Sequence, residues 1–183
     1  MKKTHYHRIR FWIYSAAVIA VMAAIFAFSQ QTGTESKKLS KTVLSGMKTV
    51  GLDVFTPEIS LGSKEKTDKS SFTFKLDGRK WAHLYLYALL GVSALLWWEQ
   101  LLRMKDKGLS WQRPQLRLPL AAALAFVSSL LYACTDELHQ LLIDDRKGRL
   151  SDVLYDALGF GLSILLTMTA IKIAELVRRR IHR

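Results

Sequence analysis

The chain has a single cysteine, Cys134, among its 183 residues. An intramolecular disulfide is therefore impossible, and no disulfide framework supports the fold. Lying in an apolar run, Cys134 reads as a packed core thiol. No CxxC or other zinc-ligand spacing occurs. HExxH is missing as well, because "ELHQ" has the wrong order and spacing. There is no GxSxG, no internal repeat and no nucleotide-binding glycine motif; "GFG" at Gly159 to Gly161 falls in mid-helix. No metal and no cofactor is expected. Acidic residues are few, 15 Asp and Glu against 27 Lys and Arg, for a net charge of +12. In a soluble chain that balance would point to nucleic acid. Here no basic patch carries the aromatic platforms that stack bases, so nucleic acid is not an expected partner. Lys and Arg at membrane-helix ends are a simpler source of the excess, since they resist translocation and meet anionic lipid.

What the chain does have is segregation. Half of it is apolar, gathered into long uncharged runs that alternate with charged stretches, the pattern of a polytopic membrane protein. Four segments reach the ~20 residues that a helix needs to cross a hydrocarbon core. They are Phe11 to Ser29, about Trp81 to Leu102, about Leu118 to Gln140, and about Asp152 to Leu176. Backbone polar groups need internal partners in lipid, so all four should be helices. The expected fold is all-α, with four transmembrane helices and a long external loop after the first. Residues 1–10 form the N-terminal segment, 11–29 the first helix, 30–80 the loop, 81–176 a core with three helices, and 177–183 a basic tail. The first segment also resembles a signal peptide, with a basic start and Ala27-Phe28-Ser29 at its end, but its apolar stretch is long for one.

Lys and Arg gather at the N-terminus, between the second and third helices, and at the C-terminus. Four crossings put those regions on one side, which the positive-inside rule makes cytoplasmic. Trp81, Trp97, Trp98, Trp111 and Tyr132 lie near proposed helix ends, where aromatic belts form. In the loop, Leu39, Val43, Met47 and Val50 share a helical spacing that suits an amphipathic surface helix. "LGSKEKTDKSS" is polar and reads as flexible.

The alternation has a second consequence. "FSQQTGTES", "RKWAHLYLY", "TDELHQ" and "RLSDVLYDALG" all fall on the same side of the bilayer, whichever side that is. Lys80, His83 and Tyr87 share a face at i, i+3 and i+7. Asp136, His139 and Gln140 do so at i, i+3 and i+4. Glu137 stands ~100° round from Asp136. Asp152, Asp156, Gly159 and Ser163 make a stripe whose small residues permit close packing. Ionisable groups within a span cost ~2.5–3.5 kcal/mol each and usually face a partner or a wet cavity. Lys80 and Arg149 are the candidate counter-charges. Each residue alone also has a bland reading. Asp152 serves as an N-cap, His83 as a satisfied interface histidine, Lys80 as a snorkelling end, Ser29 and Gln31 as a loop start, His139 as a side chain projecting to solvent, and Arg146 as a solvated turn residue. Convergence is what favours a site.

These stretches resemble the VanZ-like family of bacterial membrane proteins, whose founding members are linked to teicoplanin resistance. The resemblance rests on "FSQQTGTES", "RKWAHLYLYALLG" and "DELHQLLIDDRKGRLSDVLYDALGFG", three motifs in order. It implies site positions at Ser29, Gln31, Lys80, His83, Tyr87, Asp136, Glu137, Gln140, Arg146, Asp152 and Asp156. Two departures stand out. The family's usual Ser-Ser-Gln-Pro-Gly is here Ser29-Gln30-Gln31-Thr32-Gly33, and a Pro-Gly before the turn arginine is Asp144-Asp145. The resemblance supplies a class and not a mechanism. The expected role is an outward-facing polar pocket in a bacterial cell membrane, contacting membrane lipid and holding a lipid-linked or lipidated envelope ligand. The alternatives are an intramembrane hydrolase or transferase on an envelope lipid, with Glu137 or Asp136 as base, and a structural accessory subunit.

Overall fold

A computed structural model describes residues 2–30, 42, 78–105, 114–143 and 150–181. Four α-helices carry nearly all of these: α1 Lys2–Ser29, α2 Gly78–Lys105, α3 Pro114–Gln140 and α4 Leu150–Ile181. There is no strand among the described residues. Leu39, Val43, Met47 and Val50 of the expected surface helix, the polar insert and Trp111 lie outside them.

Each helix holds a stretch long and apolar enough to cross a membrane: His5–Ser29, Lys80–Met104, Leu116–Gln140 and Ser151–Ile181. At ~1.5 Å per residue, 25 residues reach about 37 Å, enough for a ~30 Å hydrocarbon core with some tilt. The chain is a multi-pass membrane protein. Its basic ends are helical, since α1 begins at Lys2 and α4 continues through Arg178, Arg179 and Arg180. Cations in the last turn of α4 complement the helix dipole.

The bundle is organised around α2, which packs against all three other helices. Paired contacts fix the directions. Trp97 Nε1 donates to Ser15 Oγ at 2.8 Å and Gln100 Nε2 to the His7 carbonyl at 3.0 Å, so α1 and α2 are antiparallel. Trp98 Nε1 donates to Ser128 Oγ at 3.2 Å, and Glu99 accepts from Arg103 and pairs with Arg117, holding α3 at the same end. The indoles of Trp97 and Trp98 thus bond between helices. Tyr132 does likewise, donating to the Met22 carbonyl at 2.7 Å.

α2 and α4 run parallel and nearly touch. A Cβ on Gly159 would stand 2.6 Å from the Leu84 carbonyl oxygen, and one on Gly91 2.7 Å from that of Phe160. Neither backbone leaves room for a methyl group. The apolar core between helices includes Ile25, Leu90, Leu95, Ala121, Ala125, Ala133 and Phe160. Leu154, Leu158, Leu162 and Leu165 form the opposite, exposed stripe of α4. In a bilayer that stripe meets acyl chains.

Cys134 corrects an expectation. It is exposed, on the outward stripe of Val127, Leu131 and Leu138, while its neighbour Ala133 is fully buried. One helical step of ~100° separates the two faces.

Candidate functional site

The ends of α1 and α3 and the starts of α2 and α4 meet at one end of the bundle, and the polar side chains there form two adjoining clusters. The first joins α1 to α3. Ser29 Oγ donates to Asp136 Oδ2 at 2.8 Å, and Gln140 Nε2 donates to the same oxygen at 3.0 Å. Gln140 comes from one turn along α3, so the i, i+4 spacing delivers it to Asp136. All three side chains are buried.

The second cluster is a shallow cleft between α2, α3 and α4, lined by Lys80, His83, Glu137, Gln140, Asp152, Tyr155 and Asp156, whose enclosed volume is only about 10 Å³. Lys80 Nζ lies 3.8 Å from Asp152 Oδ1 and 4.3 Å from the centroid of the Tyr155 ring. It therefore has an ionic partner and an aromatic face, an arrangement that gains strength as water is excluded. One turn deeper, His83 Nδ1 lies 3.7 Å from Asp156 Oδ1. Asp156 is only 2% exposed. The small-residue stripe explains this depth: Gly159 draws α4 against Leu84 and carries Asp156 in towards His83. Asp152 stands inside the first turn of α4, where a carboxylate also complements the helix dipole.

Gln140 belongs to both clusters. Asp136 and Glu137, neighbours in sequence, do not: Asp136 bonds to Ser29, whereas Glu137 lines the cleft. Tyr87 lies beneath, stacked on His83 with centroids 6.1 Å apart and packed against Tyr132 and Phe160. His139 stands apart from the cleft. Its ring stacks on Phe26 at 4.9 Å, and its Nε2 lies 3.2 Å from Gln30 Nε2. Gln31, Arg146 and Arg149 lie outside the described residues.

Two participants escaped the sequence reading. Tyr155 follows Asp152 by three residues on the same helix face, a spacing that would have found it. Gln30 left no comparable signal, since it ends a helix among other polar residues. Among the described residues no three His, Cys, Asp or Glu side chains stand together as metal ligands. The arrangement offers a cation over an aromatic ring, a His–Asp pair, an additional carboxyl and an amide, all within one recess at the end of the bundle. Such a set can engage a polar group by charge and hydrogen bonds.

Residues 11–172 match the VanZ/LLP1 family. This is most of the chain, which belongs to that family. No curated protein and no solved structure matches it.

Proposed function

We propose that the protein uses its cleft to bind the polar end of a lipid-linked or lipidated envelope ligand, in a bacterial cell membrane, with the cleft facing outward and both termini in the cytoplasm. The observation that carries this reading is the convergence of Lys80, His83, Glu137, Gln140, Asp152, Tyr155 and Asp156 from three helices at one end of the bundle. Ionisable groups are costly in a span and are kept where they meet a partner or a ligand. The basic segments at the other end of the helices support this sidedness. Family membership suggests the biological output, lowered sensitivity to lipoglycopeptides such as teicoplanin. A lipid-tailed drug settles in the outer leaflet near its target, where an outward-facing pocket competes for the drug or for the lipid it acts on.

Growth inhibition by teicoplanin and by vancomycin tests this. The hosts compared carry no protein, the wild type, or Asp136→Asn, Glu137→Gln or Asp156→Asn, with membrane abundance checked by blot. The expected result is protection by the wild type against teicoplanin alone, lost in the variants at equal abundance. Protection against neither drug would remove the resistance reading.

One observation favours an enzyme as the second reading. Glu137 lines the same cleft as the His83–Asp156 pair, so a base and a proton carrier share one recess. On that reading a lipid-linked species is turned over in membranes holding the wild type, and turnover stops in Glu137→Gln at normal abundance.

A further inference from the structure

The cleft between α2, α3 and α4 is unevenly charged. Three carboxyl groups line it, from Glu137, Asp152 and Asp156, against one lysine, Lys80. Ionised, the carboxyls outnumber the cations even when His83 carries a proton. Lys80 is already engaged, 3.8 Å from Asp152 Oδ1 and over the Tyr155 ring. An anionic group entering the cleft meets net repulsion, and a cationic one meets attraction that water screens only in part.

A carboxyl excess alone names no ligand, and Gln140 adds a directional observation. Its side chain is only 4% exposed and lines the cleft. Its amide is held one way round, since Nε2 donates to Asp136 Oδ2 at 3.0 Å and lies 3.5 Å from Ser29 Oγ. A carboxylate only accepts, so the amide NH2 must face it. The carbonyl oxygen Oε1 is thereby turned away from Asp136 and towards the cleft, and among the described residues no group donates to it. A buried acceptor in this state calls for a donor. The space sets the donor's size. At about 10 Å³, it takes roughly one water-sized group. A primary ammonium has that size, carries the complementary charge and brings three donors with no acceptor. A phosphate is larger and has the wrong sign. A trimethylammonium has the right sign but is larger and has no N–H. Lys80, Gln140 and Ser151 stand at the ends of three spans, the depth at which lipid headgroups lie. We infer that the cleft takes the primary ammonium of an aminolipid headgroup, its N–H groups donating to Gln140 Oε1 and to the Glu137 carboxylate. This rests on the ligand-binding reading above and names the chemistry of the ligand's polar end.

The test is native mass spectrometry of the full chain in detergent. The protein is offered equimolar phosphatidylethanolamine, its N-methyl and N,N-dimethyl forms, phosphatidylcholine and phosphatidylglycerol, all with the same acyl chains. Phosphatidylethanolamine should be retained over phosphatidylcholine by at least about tenfold, the factor that one charge-assisted hydrogen bond supplies. Retention should fall with each added methyl. Glycerophosphoethanolamine, the same headgroup without tails, separates the sources: displacement of the lipid identifies a free amine as sufficient, and no displacement identifies the tailed lipid. Glu137→Gln should lower the ratio of the two lipids, and a ratio read on one protein is not mimicked by partial unfolding. If that variant does not fold, the methyl series on the wild type still decides. Equal retention of all the lipids, or a preference for phosphatidylglycerol, overturns the inference and leaves ligand binding standing. An unchanged ratio in Glu137→Gln also overturns it. Retention of no lipid overturns the inference and the ligand-binding reading together.

Discussion

Ser29 Oγ and Asp136 Oδ2, 107 residues apart in sequence, are joined by a 2.8 Å hydrogen bond that ties the end of α1 to the end of α3. α1 is the least buried of the four spans, so polar ties do a larger share of the work of holding it. A hydrogen bond to a charged group contributes roughly 1.5–3 kcal/mol in soluble proteins, and interhelical bonds in membranes average about 0.6 kcal/mol. Ser29→Ala should therefore cost about 1 kcal/mol, between those bounds. Its loss should overlap with that of Asp136→Asn rather than add to it, because both break one bond. Thermal unfolding of the two single variants and the double variant in nanodiscs measures this. Fully additive losses would show that the bond contributes nothing.

The two glycines of "GFG" should respond oppositely to alanine. At Gly159 the new methyl meets the Leu84 carbonyl oxygen at 2.6 Å, and a backbone atom cannot step aside. Overpacking of this kind costs about 1–3 kcal/mol. It should also push α4 off α2, separating Lys80 from Asp152 and His83 from Asp156. At Gly161 the nearest atom is Phe126 Cε2 at 3.6 Å, an ordinary contact. Helix propensity then favours alanine by roughly 0.8–1 kcal/mol. Melting temperatures should fall for Gly159→Ala and hold or rise for Gly161→Ala. The reverse order would contradict the close α2–α4 packing.

These contrasts mark what was legible in the sequence. Four apolar runs, each about as long as a membrane crossing needs or longer, specify four helices with little ambiguity. Alternation then puts Ser29, His83, Asp136 and Asp156 at one end. Helical spacing also gave the Asp152–Asp156–Gly159–Ser163 stripe, of which Asp156 and Ser163 are buried. What spacing leaves open is which neighbour each face meets. Asp136 and Glu137 differ by one helical step, and only the placement of α1 decides that the first goes to Ser29. His139 shares a face with Asp136 in sequence, yet it stacks on Phe26 because α1 ends beside it. Cys134 misled for another reason. In a soluble protein an apolar setting implies burial, but in a bilayer both the core and the lipid face are apolar, so hydrophobicity cannot tell them apart.

Lys80 offers a separation of charge from stability. Its side chain is 20% exposed and that of Asp152 15%, so the pair is partly open to water and contributes on the order of 1 kcal/mol. Lys80→Met keeps the apolar stem and should lower the melting temperature slightly. It removes the one lysine among the described residues that line the cleft, so teicoplanin protection should fall much further than stability does. Lys80→Arg keeps a cation that pairs with carboxylates and stacks on aromatic rings, as the positions of Asp152 and Tyr155 require. It should retain most of the protection. Equal protection by Lys80→Met and the wild type would place the functional group elsewhere.

The position of Cys134 yields a prediction that separates a lipid-facing thiol from a packed one. A thiol packed between helices leaves a small cavity or an ill-matched hydroxyl when replaced, and the loss in a core is typically above 1 kcal/mol. An outward-facing thiol loses only contacts with mobile acyl chains. Cys134→Ala and Cys134→Ser should each change stability by no more than about 0.5 kcal/mol, and drug protection should be unaltered. Unfolding curves in nanodiscs and the growth assay read the two quantities separately. A drop of several degrees in Cys134→Ala would mean that α3 is turned from the orientation described. Because a rotation that buries Cys134 would also carry Asp136 away from Ser29, the same result would undo the first cluster of the site.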